Sequence, residues 1–207
     1  IFWNQPVSER FLRKYDYKID WHFFCQRCRP LSEDFISDYR CSLDIENISY
    51  YQQLSENFIR ENRNILNWHG ISMAQNLSPE FREEFKDLLD INLYNETHRA
   101  TSKEQKIQEI KKYCEKYSLE MNEQEEYFIA YRVHDRWGRG VYDKSRFYEK
   151  GKYYRDWHLD MRPSESCSFG LGISPVGNVK IKVLFDDWGV EVADGKGKGR
   201  VWGFEVI

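Results

Sequence analysis

Apolar positions in the front of the chain come in short clusters that recur, not in long amphipathic stripes. Val7-Ser-Glu-Arg-Phe-Leu12, Leu31-Ser-Glu-Asp-Phe-Ile36, Leu54-Ser-Glu-Asn-Phe-Ile59 and Leu77-Ser-Pro-Glu-Phe-Arg82 start 24, 23 and 23 residues apart. Ile48-Ser49-x-x-Gln52 and Ile71-Ser72-x-x-Gln75 precede two of these strings at one offset, and Ile1 and Gln5 hold the same offsets from Val7. Trp21, Ile45 and Trp68 mark the other end of the unit, and an extra residue near Pro30 accounts for the spacing of 24. A self-similar period in this range predicts a stack of supersecondary units, each too small to bury its own apolar face. Ser8, Ser32, Ser55 and Ser78 read as N-caps followed by acidic residues, and Pro79 stands where a first-turn proline belongs. Asp20, Asp44 and Asn67 read as caps of a second short helix in each unit, and the repeated Gln reads as a hydrogen-bonding spacer between units. A longer helix, from a cap at Ser102 through about Tyr117, shows Ile107, Ile110 and Cys114 on one face and is expected to close the stack.

The back of the chain changes period. Short alternating runs predict strands at Tyr127–His134, Arg139–Tyr142, Tyr153–Leu159, Val179–Phe185, Gly189–Ala193 and Val201–Ile207. Glycine supports the change: of twelve, only Gly70 precedes residue 138, and glycine is poor in helices but common in turns. Asp194-Gly-Lys-Gly-Lys-Gly-Arg200 reads as a mobile, solvated hairpin turn, since it lacks the strand–loop–helix setting of a phosphate-binding loop. The expected fold class is α+β: helical-hairpin repeats and a closing helix over 1–122, then a small antiparallel β domain over 123–207.

Composition narrows the function classes. Aromatics at 16% of 207 residues argue against disorder, and a net charge of −3 argues against a generally basic nucleic-acid binder. The charge is uneven: residues 1–130 hold 17 Lys and Arg against 23 Asp and Glu, whereas residues 131–207 hold 14 against 11. No apolar run approaches the roughly 18–20 residues of a membrane helix. The chain opens on Ile1, inside a repeat, and is expected to be part of a longer one.

The unit W/I-x-x-I-S-x-x-Q-x-L-S-x-x-F, carried by Ile1–Val7, Trp21–Phe35, Ile45–Phe58 and Trp68–Phe81, resembles helical repeats common in proteins of tailed phages and giant viruses. Phe128-Ile-Ala-Tyr-Arg-Val133, Tyr148-x-x-Gly151-Lys-Tyr-Tyr154, Ser166-Cys-Ser-Phe-Gly-Leu-Gly172 and Trp202-Gly-Phe-Glu-Val-Ile207 resemble an uncharacterised domain joined to such repeats in phage proteins. These resemblances imply a viral origin and work in the host cytoplasm; they imply no activity. A weaker similarity, around Cys167 to Gly172, is to ADP-ribosyltransferase-like folds. It implies roles for Arg132 or His134, for Tyr153 or Tyr154, and for Glu191 or Glu205. The short 173–178 segment departs from that pattern by omitting a helix.

Several residues offer chemistry at suggestive spacing. His22, Cys25, Cys28 and Cys41 are spaced as zinc ligands can be, but the repeat assigns His22 and Cys25 to ordinary repeat positions. An odd cysteine count favours free thiols. His134-Asp135, His158 with Asp156 or Asp160, and Cys167 are candidate acid–base or nucleophilic groups; no G-x-S-x-G motif accompanies them. No catalytic residue, metal or cofactor is assigned. Arg132, Arg136, Arg139, Lys144, Arg146, Lys150, Lys152 and Arg155 interleave with aromatics, a mixture that suits single-stranded nucleic acid or a protein hot spot. The expected partner-binding residues are Trp137, Arg139, Tyr142, Tyr153, Tyr154 and Trp157. The leading reading is a phage protein that binds and inhibits or redirects a host protein, with a host antiviral defence complex as a candidate target. The alternatives are an ADP-ribosyltransferase-like enzyme and a nucleic-acid-binding module. No membrane partner is expected, and open repeat ends suggest a homo-oligomer.

Overall fold

The computed structural model describes residues 8–21, 31–140, 147–165 and 170–207. The chain divides into two compact units, 1–95 and 96–207, and the fold is α+β.

In the first unit, α1 (Glu9–Lys14), α2 (Glu33–Asp38), α4 (Glu56–Glu61) and α6 (Pro79–Glu84) each begin after one of the repeated serines. Each serine Oγ accepts from the N–H of the phenylalanine three residues on, at 3.1–3.3 Å. This satisfies one of the N–H groups that a helix start leaves without a partner. Between them lie α3 (Ile45–Tyr51) and α5 (Trp68–Ala74), capped by Asp44 and Asn67; α7 (Ile91–Thr97) follows Asp90, which accepts from the N–H of Leu93. Helices this short are marginal alone. Phe35, Phe58 and Phe81, with Ile36, Ile48, Ile59 and Ile71, form one buried core along the stack. Gly70 lets α5 approach α3: a Cβ there would stand 3.0 Å from the ring of Tyr50.

Polar repeat positions join neighbouring units. Glu9, Glu33 and Glu56 accept from both the N–H and the hydroxyl of Ser32, Ser55 and Ser78, the capping serine of the next unit, at 2.5–3.1 Å. The hydroxyls of Ser49 and Ser72 donate to the carbonyls of Ile45 and Trp68 and accept from the N–H of Asn67 and Asp90. Gln52 and Gln75 are buried and accept from the N–H of Leu31 and Leu54. Gln75 also donates to the carbonyls of Ser49 and Gln52. The repeated Gln is therefore the spacer its position suggested.

In the second unit, β1 (Met121–Asn122), β2 (Tyr127–Arg132), β5 (Val179–Leu184), β8 (Gly203–Val206) and β3 (Tyr153–Arg155) form an antiparallel sheet in the order β1-β2-β5-β8-β3. A smaller antiparallel sheet has the order β4 (Leu171–Ile173), β7 (Gly199–Val201), β6 (Trp188–Glu191). Phe128, Ala130, Ile181, Val183 and Phe204 line the core with Trp188.

The helix α8 (Lys103–Tyr117) has the expected cap at Ser102, there a full capping box with Gln105. Its buried face does not close the repeats. Ile110, Tyr113 and Cys114 pack into the β core, which moves the division from residue 122 to residue 95. The amphipathic pattern showed which face is covered, not which partner covers it. Burial pushes the Cys114 thiol up to about 12, so it stays protonated. The 194–200 segment is a hairpin turn, but it is not solvated throughout. Gly197 and Gly199 are buried, Gly197 adopts φ +73°, and its carbonyl accepts from the Tyr113 hydroxyl at 2.7 Å. Residues 139–140 form only isolated bridges, His134 with Gly140 and Arg139 with Phe147.

Candidate functional site: an arginine-flanked tryptophan turn

After β2 the chain turns back on itself at Asp135. One Asp135 carboxylate oxygen accepts from the N–H groups of Trp137 (2.9 Å) and Arg139 (3.0 Å), and the other accepts from the Arg139 guanidinium (2.8 Å). Gly138, at φ +78°, closes the turn with its N–H on the Asp135 carbonyl at 3.0 Å, a conformation glycine adopts without steric cost. Burial works against the Asp135 carboxylate. The hydrogen bonds from Arg139 and Trp137 outweigh it and hold the pKa below the ordinary value. Trp137 is 56% exposed. The Arg136 guanidinium lies 3.9 Å and that of Arg139 4.7 Å from its ring centroid. The turn is fixed on the sheet by Asn178, whose amide accepts from the N–H of His134 and donates to its carbonyl, at 2.8 and 2.7 Å.

An aromatic cluster supports the turn. The buried His134 ring stacks on Tyr148 at 4.8 Å and 20°, and Tyr148 packs edge-on against Tyr154 and tilted against Phe204. The Arg132 guanidinium lies 4.8 Å from the Tyr148 and Phe204 rings and donates to the Gly172 carbonyl. Burial, and then the charge of Arg132, lower the His134 pKa to about 4, against the pull of Asp135. This histidine is neutral near pH 7.

Among the described residues, the expected partner-binding positions are spread over more than one place. Trp137 and Arg139 share the turn. Tyr154 faces the cluster, and its hydroxyl accepts from the N–H of Glu149 at 2.7 Å. Tyr153 is 47% exposed, yet its hydroxyl donates to the buried carboxylate of Asp187 at 2.7 Å beside Arg155, 2.5 Å from the same group. Gly203 makes room for that hydroxyl: a Cβ there would overlap it. Trp157 is half-buried beside His158. Tyr142, Lys144 and Arg146 lie outside the described residues.

The alternative chemistries fare differently. His22, Cys25, Cys28 and Cys167 lie outside the described residues, among which no three His, Cys, Asp or Glu side chains come close enough to hold a metal. The Asp135 carboxylate is turned to Arg139, not to His134. His158 is buried beside the His98 ring at 4.8 Å, and Asp160 is held by Arg162 at 2.8 Å. Of the positions suggested by the ADP-ribosyltransferase resemblance, Arg132 and Tyr154 share a face of the large sheet with Phe204. Strand alternation puts Glu205, paired with Tyr153, on the other face. Glu191 is held by Lys116 and Tyr117 at 2.8 and 2.7 Å. These positions do not form one constellation.

Sequence reasoning missed Asp135 as the anchor and Arg136 as a stacking partner of Trp137. The signal was present in Asp135-Arg-Trp-Gly-Arg139: an aspartate two residues before an N–H it can accept from, then a glycine where the turn needs positive φ. Compared with protein-family models, with curated proteins and with solved structures, the chain finds no match. Among the described residues no helix is long and apolar enough to cross a membrane.

Proposed function

We propose that this chain is a phage-encoded interaction protein that binds a host protein and inhibits or redirects it, with host antiviral defence complexes as the first targets to examine. The observation that carries the binding reading is Trp137: a large, exposed indole with two guanidinium groups close to its ring, on a turn held by its own hydrogen bonds. Tryptophan and arginine dominate binding hot spots. A turn organised before binding loses less conformational freedom when it binds. The phage part of the reading is supported by the sequence resemblance of the repeats and the β domain. Affinity capture from bacterial lysate, with and without nuclease, tests the proposal. Nuclease-resistant recovery of one host protein in near-equal amount is the expected result. Loss of every captured partner on nuclease treatment would overturn it.

A further inference from the structure

We infer that the Trp137 turn recognises an acidic segment of a protein, with Arg136 meeting a carboxylate and Trp137 and Phe147 covering the apolar residues beside it. This rests on the reading of the chain as a binding protein and adds the chemistry of what is bound. The segment 132–155 holds eight Lys and Arg against three Asp and Glu. Most of the described cations in that excess are occupied. Arg139 is held by Asp135, Lys152 by Glu149 at 2.6 Å, Arg155 by Asp187, and Arg132 donates to the Gly172 carbonyl. Among the described residues of this segment, Arg136 and Lys150 are held by neither a carboxylate nor a carbonyl.

Arg136 also has the geometry. A guanidinium lying on an indole face keeps its N–H donors in its own plane, where their edge matches a carboxylate in bidentate fashion. The same loop carries exposed apolar side chains: Val133 at 54%, Trp137 at 56% and Phe147 at 50%. The bridges of His134 with Gly140 and of Arg139 with Phe147 hold these residues on one loop. Apolar groups that exclude water strengthen a charge pair formed beside them.

The same facts weigh against a nucleic-acid track on this surface. Phosphate-driven affinity grows with the number of phosphates neutralised, and the described part of this segment offers two cations, Arg136 and Lys150, that neither a carboxylate nor a carbonyl holds.

The test selects a displayed library of random dodecapeptides against the full chain and against Arg136→Glu, with labelled oligothymidylate titrated in parallel. Wild-type chain is expected to enrich peptides combining Asp or Glu with an apolar residue. Arg136→Glu should weaken the best synthetic peptide by about tenfold or more, and Arg136→Lys by less. Replacing the peptide's key acid by Lys should restore binding to Arg136→Glu, which a misfolded variant cannot produce. Enriched peptides that are neutral or basic, or that bind Arg136→Glu unchanged, would overturn the inference and leave the binding-protein reading standing. Oligothymidylate binding tighter than any acidic peptide, and lost in Arg136→Glu, would overturn it in favour of nucleic acid. Failure of both probes to bind would count against the inference and the binding-protein reading together.

Discussion

Asp135 accepts three hydrogen bonds from the turn it begins, so removing its carboxylate releases Trp137 without touching the indole. Asp135→Ala is expected to weaken partner binding while leaving the thermal midpoint within a few degrees of wild type; equal affinity would show that the turn needs no anchor. His134 carries a pH prediction. Its folded pKa is about 4, against an ordinary 6.5, so between those values the unfolded chain binds a proton that the folded chain does not. The contribution to stability is therefore whole above about pH 6.5, declines as pH falls, and is lost by about pH 4. Thermal melts from pH 7 to pH 4 should show that decline, and His134→Phe, which keeps a ring on Tyr148, should flatten it. An unchanged slope would remove His134 as the cause. Much of this cluster was hidden in the sequence. The local Asp–Trp turn was readable from spacing, whereas Tyr153 reaches Asp187, 34 residues away, because Gly203 has no side chain where the Tyr153 hydroxyl sits.

Among the elements, the short helices form because each repeat position supplies either a cap or a link to the next unit. Gln75→Leu would leave the buried N–H of Leu54 and the carbonyls of Ser49 and Gln52 without their partner. That change should cost about 3 kcal/mol or more in urea unfolding, whereas Ser78→Ala, which removes the cap and the hydroxyl bond to Glu56 but keeps the N–H bond to that carboxylate, should cost about 1–2. Comparable losses would show that Gln75 is not a link. The stack also ends itself. Pro79 stands where earlier units place the linking glutamate, and the Tyr94 hydroxyl donates to the Leu77 carbonyl and accepts from its N–H, both at 3.1 Å. Tyr94→Phe leaves both groups unmet and should destabilise the first unit by about 1–3 kcal/mol. The caps were legible because Ser-to-Phe bonds span three residues. The Glu-to-Ser links span 22 or 23 and showed in the sequence only as repeated letters. The strand Leu171–Ile173 was missed because Gly-Leu-Gly reads as a turn, and α8 was assigned to the wrong core because its apolar stripe names no partner.

For the whole molecule, the two units divide the work differently. The repeats spend their recurrent polar groups on one another, while the β unit holds outward a turn in which an indole and two guanidinium groups are brought together. The α+β order and the change from a repeat period to alternation were legible from one end of the chain to the other. The division at residue 95 was not, because it depends on long-range packing of a single helix. The central claim is that partner binding runs through that turn. Capture from bacterial lysate by wild type and by Trp137→Ala, matched for circular dichroism and thermal midpoint, tests it most directly. The account predicts that the nuclease-resistant partner of the wild type falls at least about tenfold with Trp137→Ala. Equal recovery of that partner by the two proteins would contradict it.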